Sequence, residues 1–157
     1  MGHDRLTFGI KRIKRMKKYK VGFTQGTYDM FHIGHLNLIN HAKELCEFLI
    51  VGVNSDALVE KYKNKTPVIN ENDRKKIVEN LKAVDRCVLT TTLDKVDAWK
   101  KYHFDAIFIG DDWKGNERWA QTESDLKPYG AVVEYLPHTD GISSTLLRPV
   151  EGEKVSD

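Results

Sequence analysis

The sequence predicts an α/β fold: a doubly wound parallel five-stranded sheet flanked by helices, in a single domain. Three observations predict it. Short apolar runs recur between segments of helical period, one run is apolar on both faces, and no repeat or low-complexity linker breaks the alternation. Strands that alternate with helices call for right-handed crossovers, which lay the strands parallel. At 157 residues, with 40% hydrophobic and 31% charged, the chain has the size and composition of one domain with its own core.

The first nineteen residues are expected as a basic arm, and Lys11, Arg12, Lys14, Arg15, Lys17, Lys18 and Lys20 crowd one short stretch there and at the start of the domain. Such a block suits an anionic membrane, nucleic acid or a polyphosphate, yet a lone charge run is more often simply solvated. With a net charge of only +2, no nucleic-acid partner is expected. Residues 21–24 read as the first strand and 48–53 as a central one, because a parallel strand covered on both faces is apolar throughout. Residues 87–89, 106–109 and 131–136 supply three more. Between them, His35, Leu38, Ile39, Ala42, Leu45 and Cys46 fall on one helical stripe. Residues 70–73 resemble a capping box, after which Ile77, Val78 and Leu81 line one face. Val96, Trp99 and Tyr102 suggest a shorter helix. The domain is expected over 20–149, with a tail over 150–157. No apolar run approaches bilayer length and no signal-peptide pattern is present, so no membrane insertion and a cytoplasmic location are expected. Cys46 and Cys87 lack metal-ligand or CxxC spacing and read as buried free thiols.

In such sheets ligands bind at the carboxyl ends of the strands. The first strand ends in Gly26, Thr27 and Tyr28, followed by His32, Gly34 and His35 where the helix begins. Glycine lets backbone amides approach an anion, and the helix start adds unpaired N–H groups and a positive dipole end. His32 and His35, three apart in the first turn, can point the same way and donate to phosphate oxygens during displacement at phosphorus. A metal site on this pair would need Glu or Cys partners that the neighbourhood lacks. His3, His41 and His103 are read as structural. After the last strand, His138, Thr139, Asp140, Gly141, Ile142, Ser143, Ser144 and Thr145 read as a turn and a Ser-capped helix start, a second set of donors at the same sheet edge. Lys61, Lys63 and Lys65 are read on a loop, as mobile point charges for oxygen anions or as plain surface lysines. Asp111, Asp112 and Trp113 follow the fourth strand, where paired aspartates suit Mg²⁺, substrate hydroxyls or a capped turn.

The segment GTYDMFHIGH resembles the signature of the HxGH nucleotidyltransferase superfamily, whose fold is Rossmann-like. Joined with HTDGISST, which is similar to the RTEGIST motif, it resembles the cytidylyltransferase branch. The resemblance extends over about residues 20–148 and implies that His32 and His35 stabilise the transition state at the α-phosphate. It implies CTP contacts from Gly26, Thr27, Tyr28, Lys65 and residues 138–145. Lys65 joins the catalytic set by the same resemblance, and Lys63 and Lys95 would meet the phosphorylated alcohol. Two departures stand out: His138 replaces the usual Arg, and Asp140 the usual Glu. Loss of a permanent guanidinium weakens a phosphate contact unless His138 is protonated or Arg148 substitutes. Arg74 matches the family's arginine, while Lys82 stands where an arginine is usual. The segment GDDWKG resembles glycerol-3-phosphate cytidylyltransferases, placing Asp111, Asp112 and Trp113 at the acceptor. The implied reaction joins CTP to a small phosphorylated alcohol, most closely glycerol 3-phosphate, with Mg²⁺ riding mainly on the triphosphate rather than in a protein cage. A homodimer feeding cell-surface polymer synthesis is expected on the same ground. Phosphocholine, phosphoethanolamine or a sugar-alcohol phosphate as acceptor, adenylyl transfer, and a non-catalytic nucleotide-binding module remain the alternatives.

Overall fold

The computed structural model describes residues 16–141. Five strands, β1 (Tyr19–Gly26), β2 (Cys46–Asn54), β3 (Arg86–Thr90), β4 (Ala106–Gly110) and β5 (Val132–Leu136), form one sheet in the order β3-β2-β1-β4-β5. Every pairing is parallel. Five helices connect and flank them: α1 (Ile33–Leu45), α2 (Asp56–Lys63), α3 (Glu71–Glu79), α4 (Lys95–Tyr102) and α5 (Glu117–Leu126). The chain builds outward from β1 to β2 and β3, then returns to lay β4 and β5 on the other side. Between β1 and β4, successive connections leave in opposite directions, which opens a crevice at the carboxyl ends of those strands.

Alternation along the strands divides the core between two faces. Leu49, Val51, Val53, Ala106 and Phe108 pack with Ile39 and Ala42 of α1 and Val78 of α3. Phe23, Ile50 and Ile107 point the other way and pack with Ala98 of α4 and with Trp119 and Leu126 of α5. The doubly wound expectation therefore holds, helices covering both faces.

Three local expectations need correction. Cys46 opens β2 instead of closing α1. Lys61 and Lys63 lie on helix α2, not on a loop; only Lys65 does. Ser55 caps α2 by accepting from the Leu58 amide, Leu58 and Val59 bury its inner face, and Asn64 at φ 56° ends it. Its lysines sit at the C-terminal end, where the helix dipole favours cations. Helix α5 carried little periodic signal, since only Trp119 and Leu126 are buried along its ten residues. Cys46 is buried and Cys87 half-buried; both are free thiols, and burial raises each to a pKa of about 11. His103 ends α4 in a left-handed conformation and stacks on Trp99, a structural role as expected. The arm up to residue 15, with His3, and the residues from Ile142 on, with Ser143, Ser144, Thr145 and Arg148, lie outside the described residues.

Candidate active site

Strand β1 ends at Gly26, and a side chain there has no room: a Cβ would meet the Tyr28 ring at 2.9 Å. The chain then turns through Tyr28 and Met30, both at positive φ, before α1 begins. Tyr28 packs edge-on to His35 with ring centroids 5.4 Å apart, so it forms a wall of the site. Thr24, Gln25, Gly26, Thr27, Tyr28, Gly34 and His35, with Leu38 and Ile109, enclose a cavity of about 160 Å³ at the mouth of the β1/β4 crevice.

The two histidines form the helix cap. His32 is the N-cap and its Nδ1 accepts from the Gly34 amide at 3.0 Å; His35 Nδ1 accepts from the His32 amide at 3.2 Å. A nitrogen that accepts carries no proton, so both neutral rings carry theirs on Nε2. The rings stack at 3.8 Å. His32 Nε2 is buried without a partner, which leaves a donor waiting for a ligand. Burial and the neighbouring His32 lower His35 to about 4, and burial lowers His32 as well. No acidic side chain sits in the first turn of α1, so the positive end of the helix is uncompensated.

Thr27 Oγ1 lies 2.9 Å from the Tyr62 hydroxyl of α2, so the glycine turn and the lysine-bearing helix are joined. Lys63 closes α2 and Lys65 follows it; both are exposed. The segment beyond is fastened by Asp29, 2% exposed, which accepts from the amides of Val68 at 2.8 Å and Ile69 at 2.9 Å. Arg74, 1% exposed, donates to the carbonyls of Thr27, Asn54 and Ile69 and pairs with Asp56 at 2.6 Å. Its guanidinium is spent on the scaffold and none of it faces the cavity. Sequence reasoning missed the roles of Asp29, Gln25, Asn54 and Tyr62. The one visible signal was polarity at the end of apolar strands.

Lys95 opens α4 and reaches β1, donating to Gln25 Oε1 at 2.8 Å. Burial, with a smaller contribution from Arg118, lowers its pKa to about 8. Asp111, Asp112 and Trp113 form an exposed 3-10 turn after β4. Gly110 precedes it, and a Cβ there would meet Asp112 Oδ1 at 2.5 Å, so that exposed carboxylate would have to swing aside. His138 is bound through Nδ1 to Asp111 and through Nε2 to Asp140 at 2.8 Å. The hydrogen bond that His138 donates to Asp111 raises the His138 pKa, so the replacement for arginine retains a proton more readily than a free histidine. Thr139 Oγ1 accepts from Asn37 of α1 at 2.9 Å. The contacts to Asp111 and Asn37 draw residues 138–141 to the same sheet edge as His32 and His35.

Among the described residues, Asp111, Asp112 and His138 are the one group of three or more His, Cys, Asp or Glu with ligand atoms within 4.8 Å of each other. Two exposed carboxylates suit a Mg²⁺ that keeps most of its ligands as water and phosphate oxygens. They do not make an all-protein cage, and an imidazole is a poor Mg²⁺ ligand.

Paired neutral donors on a helix start, with cations on neighbouring strand ends, suit displacement at phosphorus. The chain is a nucleotidyltransferase. More narrowly, it belongs to the cytidylyltransferase-like family, whose sequence model matches residues 23–150. It is 37% identical over 126 residues to the glycerol-3-phosphate cytidylyltransferase of Bacillus spizizenii, covering 80% of this chain and 92% of that one. It is 32% identical to the enzyme of the same name from Staphylococcus aureus, over 80% of this chain and 89% of the other. Among solved structures it resembles a lipopolysaccharide core biosynthesis protein from Thermoplasma volcanium, with a TM-score of 0.64 and 27% identity over 77% of this chain and 97% of that one. No helix among the described residues is long and apolar enough to cross a membrane.

Proposed function

We propose that the chain transfers CMP from CTP to glycerol 3-phosphate, giving CDP-glycerol and pyrophosphate. The observation that carries this reading is the His32–His35 cap, in which His35 lines the cavity at the sheet switch point and His32 Nε2 is a buried donor without a partner. A phosphomonoester oxygen attacks the α-phosphorus of CTP in line, and the bond to the bridging oxygen of pyrophosphate breaks. Neutral imidazoles hydrogen-bond the equatorial oxygens as negative charge grows, without needing to lose or gain a proton. Thr27 and residues 138–145 contact the nucleotide, Lys65 the departing phosphates, and Lys63 and Lys95 the acceptor phosphate, with Trp113 alongside. Catalysis then comes from positioning and charge neutralisation, with no covalent enzyme intermediate.

Mg²⁺ would be carried mainly on the triphosphate and would neutralise phosphate charge there. Asp111 and Asp112 are the residues that would hold it on the protein side. Glycerol 3-phosphate as acceptor is supported by the names of the two curated relatives and by the Gly110–Gly115 segment. We further propose a homodimer acting in the cytoplasm, with its product consumed by enzymes that build polyol-phosphate polymers.

The test is pyrophosphate release with CTP or ATP against a panel of phosphorylated alcohols. CTP with glycerol 3-phosphate should give the highest kcat/KM. A signal only with phosphocholine, phosphoethanolamine or a sugar-alcohol phosphate moves the acceptor, and a signal only with ATP overturns the cytidylyl assignment. Release with none of them leaves a nucleotide-binding module.

A further inference from the structure

Six side chains form a hydrogen-bonded network across the carboxyl ends of three strands, running from α4 to α2. Lys95 donates to Gln25 Oε1 at 2.8 Å; Gln25 Nε2 donates to Asn54 Oδ1 at 2.7 Å and to the Thr92 carbonyl at 2.9 Å. Asn54 Nδ2 in turn donates to Thr27 Oγ1 at 3.3 Å and to the Tyr62 hydroxyl at 3.2 Å, while Thr90 Oγ1 donates to Asn54 Oδ1 at 2.9 Å. Asn54 is only 4% exposed and all four of its amide bonds are made.

The direction of the line is fixed by its ends. An ammonium only donates and a backbone carbonyl only accepts. Gln25 must therefore turn its oxygen to Lys95 and its NH₂ to Thr92 and Asn54. Asn54 must then show its oxygen to Gln25 and its NH₂ to the two hydroxyls. Both hydroxyl oxygens accept from Asn54, and one hydroxyl hydrogen is used between Thr27 and Tyr62. One O–H is left to donate outward, at the turn that leads into the histidine cap.

The other end carries the larger consequence. Lys95 is half-buried, lies 5.8 Å from the Trp119 ring centroid, and among the described residues pairs with no carboxylate. The nearby charges are Asp94, the N-cap of its own helix, and Arg118 of α5. A glutamate at position 25 would neutralise this cation; a glutamine holds it by a dipole and leaves its charge for a ligand.

We propose that Gln25, oriented by Asn54, is a positioning and specificity-determining residue that presents Lys95 as an uncompensated cation to a phosphomonoester dianion. The proposal rests on the acceptor reading above. It explains why a neutral amide occupies a place from which a carboxylate would compete with the substrate.

The test compares wild type with Gln25→Glu and Gln25→Met. The Lys95 titration is followed by NMR of ¹³C-dimethylated lysines, its signal identified by its loss in Lys95→Arg. Lys95 should titrate near 8 in the wild type. It should move up by about one unit or more in Gln25→Glu and down in Gln25→Met, since a paired charge and a lost dipole act in opposite directions. With the other substrate saturating in each measurement, both variants should raise KM for the acceptor about tenfold while KM for CTP stays within about twofold, a split that a general packing defect does not produce. The alkaline limb of kcat/KM should follow the NMR shift in each variant. Equal Lys95 titration in the wild type and in whichever variant is folded by circular dichroism overturns the proposal. So does an equal rise in KM for both substrates. The NMR arm needs no turnover, so a panel in which glycerol 3-phosphate fails leaves it standing, and its own failure leaves CDP-glycerol synthesis untouched.

Discussion

A histidine used as a neutral donor must resist protonation, and His35 does so through burial beside a second imidazole. Its folded pKa is about 4, against an ordinary 6.5. The unfolded chain takes up a proton below 6.5 that the folded chain refuses until about 4. Stability from this group is therefore complete above pH 6.5 and is lost as pH falls through that window, a total on the order of 3 kcal/mol. His35→Ala should flatten that part of the urea-midpoint profile relative to wild type. The same variant should lower turnover about a hundredfold or more, the scale of one transition-state donor. Near-normal turnover in folded His35→Ala would remove the role given to it. Glycine works at this scale too, at Gly26, where the Tyr28 ring occupies the place of a Cβ.

At the scale of elements, α2 and α3 are tied to the glycine turn by one buried guanidinium. Arg74 serves three carbonyls and Asp56, so its loss strands acceptors from the β1–α1 turn, β2 and the lysine segment at once. Arg74→Met is expected to cost about 3 kcal/mol in urea unfolding. It should also speed hydrogen exchange at the Val68 and Ile69 amides, which Asp29 holds next to it. A loss under about 1 kcal/mol with unchanged exchange would mean that the segment is anchored elsewhere. Helix α3 was legible from its sequence because Asn70 caps it locally, accepting from Asp73 three residues on. Helix α2 was obscured by its own lysines: their alternate spacing suggested a loop, while its cap, Ser55, lay at a strand end.

For the whole molecule, the order β3-β2-β1-β4-β5 decides where the chemistry sits. The switch between β1 and β4 gathers the histidine cap, Lys95, and the 111–113 and 138–141 segments at one edge. A ligand that binds this edge in the folded state alone stabilises it by mass action. At CTP about a hundredfold above its Kd the gain is about 2.7 kcal/mol, or roughly 5–10 °C in Tm for a domain of this size. ATP at the same concentration should shift Tm much less, and equal shifts would argue against cytidine selectivity.

The sequence by itself determined the alternation of strands and helices, the apolar faces and the histidine cap, because each depends on residues within a few positions of one another. The pair His32 and His35 is such a local device: its geometry follows from three residues of helix. Only the tertiary structure decided the partners of Gln25, Asn54, Arg74 and His138. Their bonds join residues between 2 and 70 positions apart, most of them more than 15. Polarity announces that a buried side chain must be satisfied, but the sheet order selects which group satisfies it.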